Sequence, residues 1–128
     1  MKKFIAIVLS SLFTTVANAE STPDFSGVDT RGKALELVKQ GELFEVLLLP
    51  IELGGKEEPK NIVFVPADIP EAHEKNTENV LHFVKKKLIN SLEVQPIYKG
   101  NSFVPSQVKM IGKHSVENRK FIMVINIW

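Results

Sequence analysis

The chain has 128 residues, no cysteine and a formal net charge of +1. That length suits one domain with an adequate core and leaves no room for a second. The near-neutral charge argues against a nucleic-acid binder, which needs a basic footprint, and the absence of cysteine excludes disulfide staples, thiol catalysis and lipoprotein-type attachment.

The opening stretch, MKKFIAIVLSSLFTTVANAE, has the order of a secretory signal. Lys2 and Lys3 give a positive start, residues 4–13 form an apolar run broken by two serines, and Ala17 and Ala19 form a small-x-small cleavage site. The run is shorter than the roughly 20 apolar residues a membrane span requires. The sequence therefore predicts a cleaved signal over residues 1–19. The expected address is the periplasm, with the surrounding medium as the alternative. Cleavage after Ala19 leaves 109 of the 128 residues and removes Lys2 and Lys3; 14 Lys+Arg then face 15 Asp+Glu, a net charge of −1.

Residues 20–28, with Pro23 and Gly27, read as a flexible N-terminal arm, and residues 29–128 as one domain. TRGKALELVKQG reads as a short helix that Asp29 or Thr30 can cap and Gly41 can end, with Leu35 and Val38 on its buried side. ELFEVLLLPIEL, residues 42–53, reads as a strand, and NIVFVP, residues 61–66, as a second. The charged, flexible loop between them suggests a long-looped hairpin. Gly54 and Gly55 are no phosphate cradle, because this loop feeds a strand and not a helix.

ADIPEAHEKNTENVLHFVKKKLINSL is the main amphipathic helix. Asp68 with Glu71 resembles a capping box, and Pro70 lies in the first turn, where its missing N–H costs nothing. Ala72, Val80, Leu81, Phe83, Val84 and Leu88 fall on one side. Three strands follow: EVQPIYK, with Pro96 marking an edge or bulge, then SFVPSQVKMIG, then KFIMVINIW. Residues 112–119 turn between the last two. The expected fold is α+β: a mostly antiparallel sheet of about five strands, the long helix on one face, a short N-terminal helix, and the order α-β-β-α-β-β-β.

His73 and Glu74 begin the H-E-x-x-H pattern of zinc proteases, but Thr77 stands where the second histidine belongs. Thr77 is no zinc ligand, and His82 lies on the opposite side of the helix from His73, so neither a metal nor another cofactor is expected. His114 next to Ser115 is a polar turn rather than a catalytic pair, since nucleophile and base usually meet from separate parts of a fold. The lysine run at 85–87 suits a helix C-terminus and is short for a membrane patch. Glu42, Glu45, Glu52, Glu57 and Glu58 near the first hairpin, and Glu71, Glu74 and Glu78 on the helix, are solvated by default.

With no catalytic constellation in view, the expected function is that of a non-enzymatic periplasmic interaction protein. It would bind another envelope or secreted protein, as an inhibitor or immunity-type protein does, without nucleic acid and without a stable membrane anchor after signal cleavage. The expected contact residues are Lys56, Glu57 and Glu58 in the first loop and Lys113, His114 and Glu117 in the last turn, or else an exposed strand edge. The alternatives are a small envelope hydrolase acting on glycan or peptide through Glu and His, and a binder of small lipids or ligands between helix and sheet.

Overall fold

The computed structural model describes residues 23–128, so the expected signal peptide lies outside the described residues. Helix α1 (Arg31–Lys39) is capped by Thr30, whose hydroxyl accepts the Lys33 N–H at 3.1 Å. Its end is a Schellman motif: Gly41 at φ 79° bonds back to Val38, and Glu42 to Leu37. The buried side of α1 is Ala34 with Leu37 and Val38, while Leu35, expected inside, is 37 % exposed.

Strands β1 (Phe44–Leu47) and β2 (Ile62–Val65) pair antiparallel. The long aliphatic run at 42–53 is strand only at its centre. Beyond Leu48 the backbone leaves the ladder, and Pro50 starts a 3₁₀ turn over Ile51–Leu53. Helix α2 (Ile69–Lys85) follows. The side chain of Asp68 makes no capping bond, so the expected capping box does not form; the Ile69 N–H bonds instead to the Pro66 carbonyl. The buried stripe of α2 is Ile69, His73, Thr77 and Val80, and Val84, expected inside, is exposed.

Strands β3 (Ser91–Tyr98), β4 (Pro105–His114) and β5 (Arg119–Asn126) form an antiparallel sheet with β4 in the centre. Pro96 lies in an edge strand next to a register shift at Ile97/Tyr98, where a missing N–H is tolerated. The α+β class and the order of elements are as expected, with the five strands divided into a pair and a triplet.

The inner face of the triplet carries the core. Val108 and Ile125 pack with Leu48, Val63, Val65 and Ile69; Met110 packs with Val80 and Ile89. Phe64, on the other face of β2, packs with Ala34, Leu43 and Val104. Phe25 and Val28 join that cluster, and the Ser102 hydroxyl donates to the Phe25 carbonyl at 2.7 Å, so residues of the expected arm are tied to the domain. Trp128 closes the same region, edge-on to Phe25 at 5.9 Å and donating from Nε1 to the Val104 carbonyl.

Gly112 faces Phe121 across the β4–β5 ladder, and a Cβ there would sit 2.0 Å from the Phe121 ring. The ring fills that space and meets Phe83 of α2 edge-on at 5.0 Å. Overpacking here displaces an aromatic pair that joins helix to sheet. Gly112→Ala is expected to lower the unfolding free energy by about 1–3 kcal/mol in urea titration.

Candidate functional site

The expected contact residues occupy two separate places. Lys56 and Glu57 are exposed and Glu58 half-buried, in the loop between β1 and β2. That loop is ordered by Asn61, whose side chain accepts from the Leu49 N–H at 2.8 Å and donates to the Leu49 and Lys56 carbonyls at 2.9 and 3.0 Å. Gly55 passes so close to Leu49 that an added Cβ would overlap its carbonyl. The expected flexible loop is thus a clamped one; Gly55 serves a close backbone approach, and Gly54 a left-handed turn at φ 98°.

Lys113 is exposed and stands opposite Lys120 in the ladder. His114 is half-buried, and its Nδ1 accepts from the Val116 and Glu117 N–H groups, both at 3.2 Å. That fixes the hairpin turn and leaves the ring proton on Nε2. Glu117 pairs with Arg119, and Asn90 exchanges hydrogen bonds with Ser115. Among the described residues no hydrogen bond or ion pair joins the two groups of expected contact residues.

His73 is buried, and its Nε2 lies 2.8 Å from the Leu47 carbonyl. A carbonyl only accepts, so the imidazole donates from Nε2. Thr77 lies one turn on and donates to the His73 carbonyl at 2.8 Å. His73 is therefore engaged inside the fold, holding α2 to the end of β1, and Thr77 is satisfied within the helix itself. Among the described residues no cluster of three or more His, Cys, Asp or Glu could hold a metal ion.

A cleft of about 220 Å³ lies over His73, with Glu52 of the 3₁₀ turn and Glu74 of α2 in its walls. Both carboxylate residues are exposed, and no hydrogen bond among the described residues ties either to the imidazole.

The outer face of the triplet sheet was not visible in the sequence, where residues 121–125 form a continuous apolar run. Ile122 and Val124 are 51 % and 43 % exposed there, beside Ile111 and Lys109 in the neighbouring strand. Lys113 and Lys120 continue this face at one end, and Glu93, bonded by Gln95, borders it at the β3 edge. No strand among the described residues pairs with the outer edge of β5. Compared with known proteins, the chain matches no family model, no curated protein and no solved structure.

Burial holds the His73 imidazole below its ordinary pKa of 6.5, against the opposing pull of the backbone carbonyl it bonds. Above pH 6.5 the ring is neutral in both folded and unfolded chains and adds no pH dependence. Below it, the unfolded chain takes a proton that the folded one refuses. Stability should fall as pH drops through 6.5 toward the folded value, by at most about 1.4 kcal/mol per pH unit. Asp24 and Asp29 are held below 3.8, by the Ser26 N–H and by Lys33, so they act only at lower pH. Urea midpoints at pH 7.5 and 5.5 should differ for the protein and differ less for His73→Gln, which keeps a donor but cannot titrate.

Proposed function

We propose that the mature chain is an exported, non-enzymatic periplasmic protein that binds another protein, as an inhibitor or immunity-type protein does. The observation that carries this reading is the outer sheet face. Ile111, Ile122 and Val124 stand together on it, Lys109, Lys113 and Lys120 flank them, and β5 has a free edge. An antiparallel sheet readily leaves one face to water, but a face that is apolar at its centre suits a partner surface. A free edge adds backbone hydrogen bonds to that surface. The partner expected here presents an extended segment along β5, with apolar side chains over Ile122 and Val124 and carboxylates near the lysines.

The test starts with co-purification of the protein carrying a tag in its N-terminal arm, since Trp128 is packed against the domain. The partner is then reconstituted with purified protein. Ile122→Asp with Val124→Asp should weaken binding about 100-fold or more while the thermal transition persists, and β5 amides should gain protection from exchange in the complex. Binding unchanged in that variant but lost on charge reversal at Glu57 and Glu58 would move the interface to the first loop.

The cleft over His73 supports a second reading, a small envelope hydrolase, because it brings Glu52 and Glu74 to one place. It predicts turnover of cell-wall glycan or peptide that Glu52→Gln or Glu74→Gln abolishes. Absence of turnover by the unmodified protein would leave the binding role alone.

A further inference from the structure

The two edges of the triplet sheet differ. The β3 edge is blunted, because Pro96 lacks an N–H and the register shifts at Ile97/Tyr98. The β5 edge carries neither device. Its ladder with β4 runs unbroken from Arg119 to Asn126, it holds no proline, and its two cations, Arg119 and Lys120, stand at one end. Ile127 donates its N–H to the Ser106 carbonyl, in register with the pairing of Gln107 and Asn126. By alternation, Ile125, Met123 and Phe121 also turn their backbone groups toward β4. Lys120, Ile122, Val124 and Asn126 turn theirs away, and all four residues are exposed. An unblunted edge of this kind is a template for another strand.

That outward row is complementary to itself. A two-fold axis through Met123, perpendicular to the sheet, sets Ile122 opposite Val124 of a second copy and Lys120 opposite Asn126 of that copy. Each pair exchanges both backbone hydrogen bonds, since these are the residues whose groups face outward. On the inner face Met123 meets its own counterpart and Phe121 meets Ile125, and both Phe121 and Met123 are only half-buried in one copy. The Asn126 Oδ1 accepts from Gln107 at 2.7 Å and has a second lone pair for the lysine. The two Lys120 side chains are separated by the six positions between 120 and 126, about 20 Å, which exceeds the ~10 Å screening length at 0.1 M salt. Moving the axis to Ile122 would set Lys120 against Val124, and a one-residue slip would put outer side chains against inner ones. Ile111 is the ladder partner of Ile122, so two copies paired about Met123 merge their apolar centres into one surface.

We propose that β5 pairs with β5 of a second copy about this axis, joining two three-stranded sheets into one continuous sheet. The interface is isologous, so it closes on itself and stops at the dimer. The outer face stays open to a protein partner and gains apolar width; only the edge is taken. A partner's extended segment along β5 competes with the second copy for the same donors and acceptors, which makes self-pairing a brake on partner binding. The dimer does not rest on the protein-binding reading, because it needs no molecule but this chain.

The test is sedimentation velocity of the purified protein from about 1 to 200 µM, where a monomer–dimer equilibrium is expected. Val124→Pro removes one outward N–H and no bond to β4, so it should weaken the dimer at least about tenfold while the thermal transition persists. The chain has no cysteine, so single cysteines report the register. Met123→Cys should oxidise in air to a covalent dimer, because opposed residues at a non-hydrogen-bonded antiparallel pair come within disulfide reach. Asn126→Cys should not, and this pair of variants decides alone if Val124→Pro does not fold. A monomer throughout the range, a dimer that a folded Val124→Pro leaves intact, or cross-linking of Asn126→Cys in place of Met123→Cys overturns the proposal. A monomer that still binds a partner through Ile122 and Val124 sinks the dimer and leaves the protein-binding reading standing. A dimer that binds no partner does the reverse.

Discussion

The contact between one stripe of α2 and the inner face of the three-stranded sheet sets most of this molecule. Ile69 reaches Val108 and Ile125 at one end, and Val80 reaches Met110 at the other. Between them the stripe carries His73 and Thr77, two polar side chains in a buried row. Each is satisfied by a backbone carbonyl, which is the condition for burying them at modest cost. The His73 bond to Leu47 also fixes where β1 stops, and so where the chain turns into the 3₁₀ segment that brings Leu53 to the core.

Covering one sheet face leaves the other to solvent. The β-pleat then sorts β5 into inward Phe121, Met123 and Ile125 and outward Ile122 and Val124. The outward pair has no covering element among the described residues, and the proposed protein contact rests on it. The same arrangement brings Phe121 under Phe83, possible because Gly112 has no Cβ, and opens the cleft at the helix end. The proposed protein face thus follows from how one helix lies on one sheet.

Much of the fold was legible because its signals are local. Thr30 and Gly41 mark both ends of α1 by cap chemistry that needs no tertiary partner. Pro96 marks an edge strand because a central one needs its N–H. Signals failed where a distant residue decided. The run at 42–53 is uniformly β-prone, yet Asn61, twelve positions beyond Leu49, takes the hydrogen bonds a longer strand would have used. The helical wheel placed Val84 inside by its hydropathy, but it lies at the exposed end of α2, while Thr77 went inside because its hydroxyl could bond one turn back.

The candidate sites divide the same way. Sequence alone determined the residue types available, the lack of thiol chemistry and the failure of the zinc motif at Thr77, since each depends on what a side chain is. It also determined that the last segment is a strand, since its β-branched and aromatic residues favour that state. Only the tertiary structure decided which side of that strand stays bare, because burial depends on what packs opposite. Only it brought Phe121 under Phe83, because residues far apart in the chain become neighbours through ladder register and helix placement, neither of which a local pattern encodes.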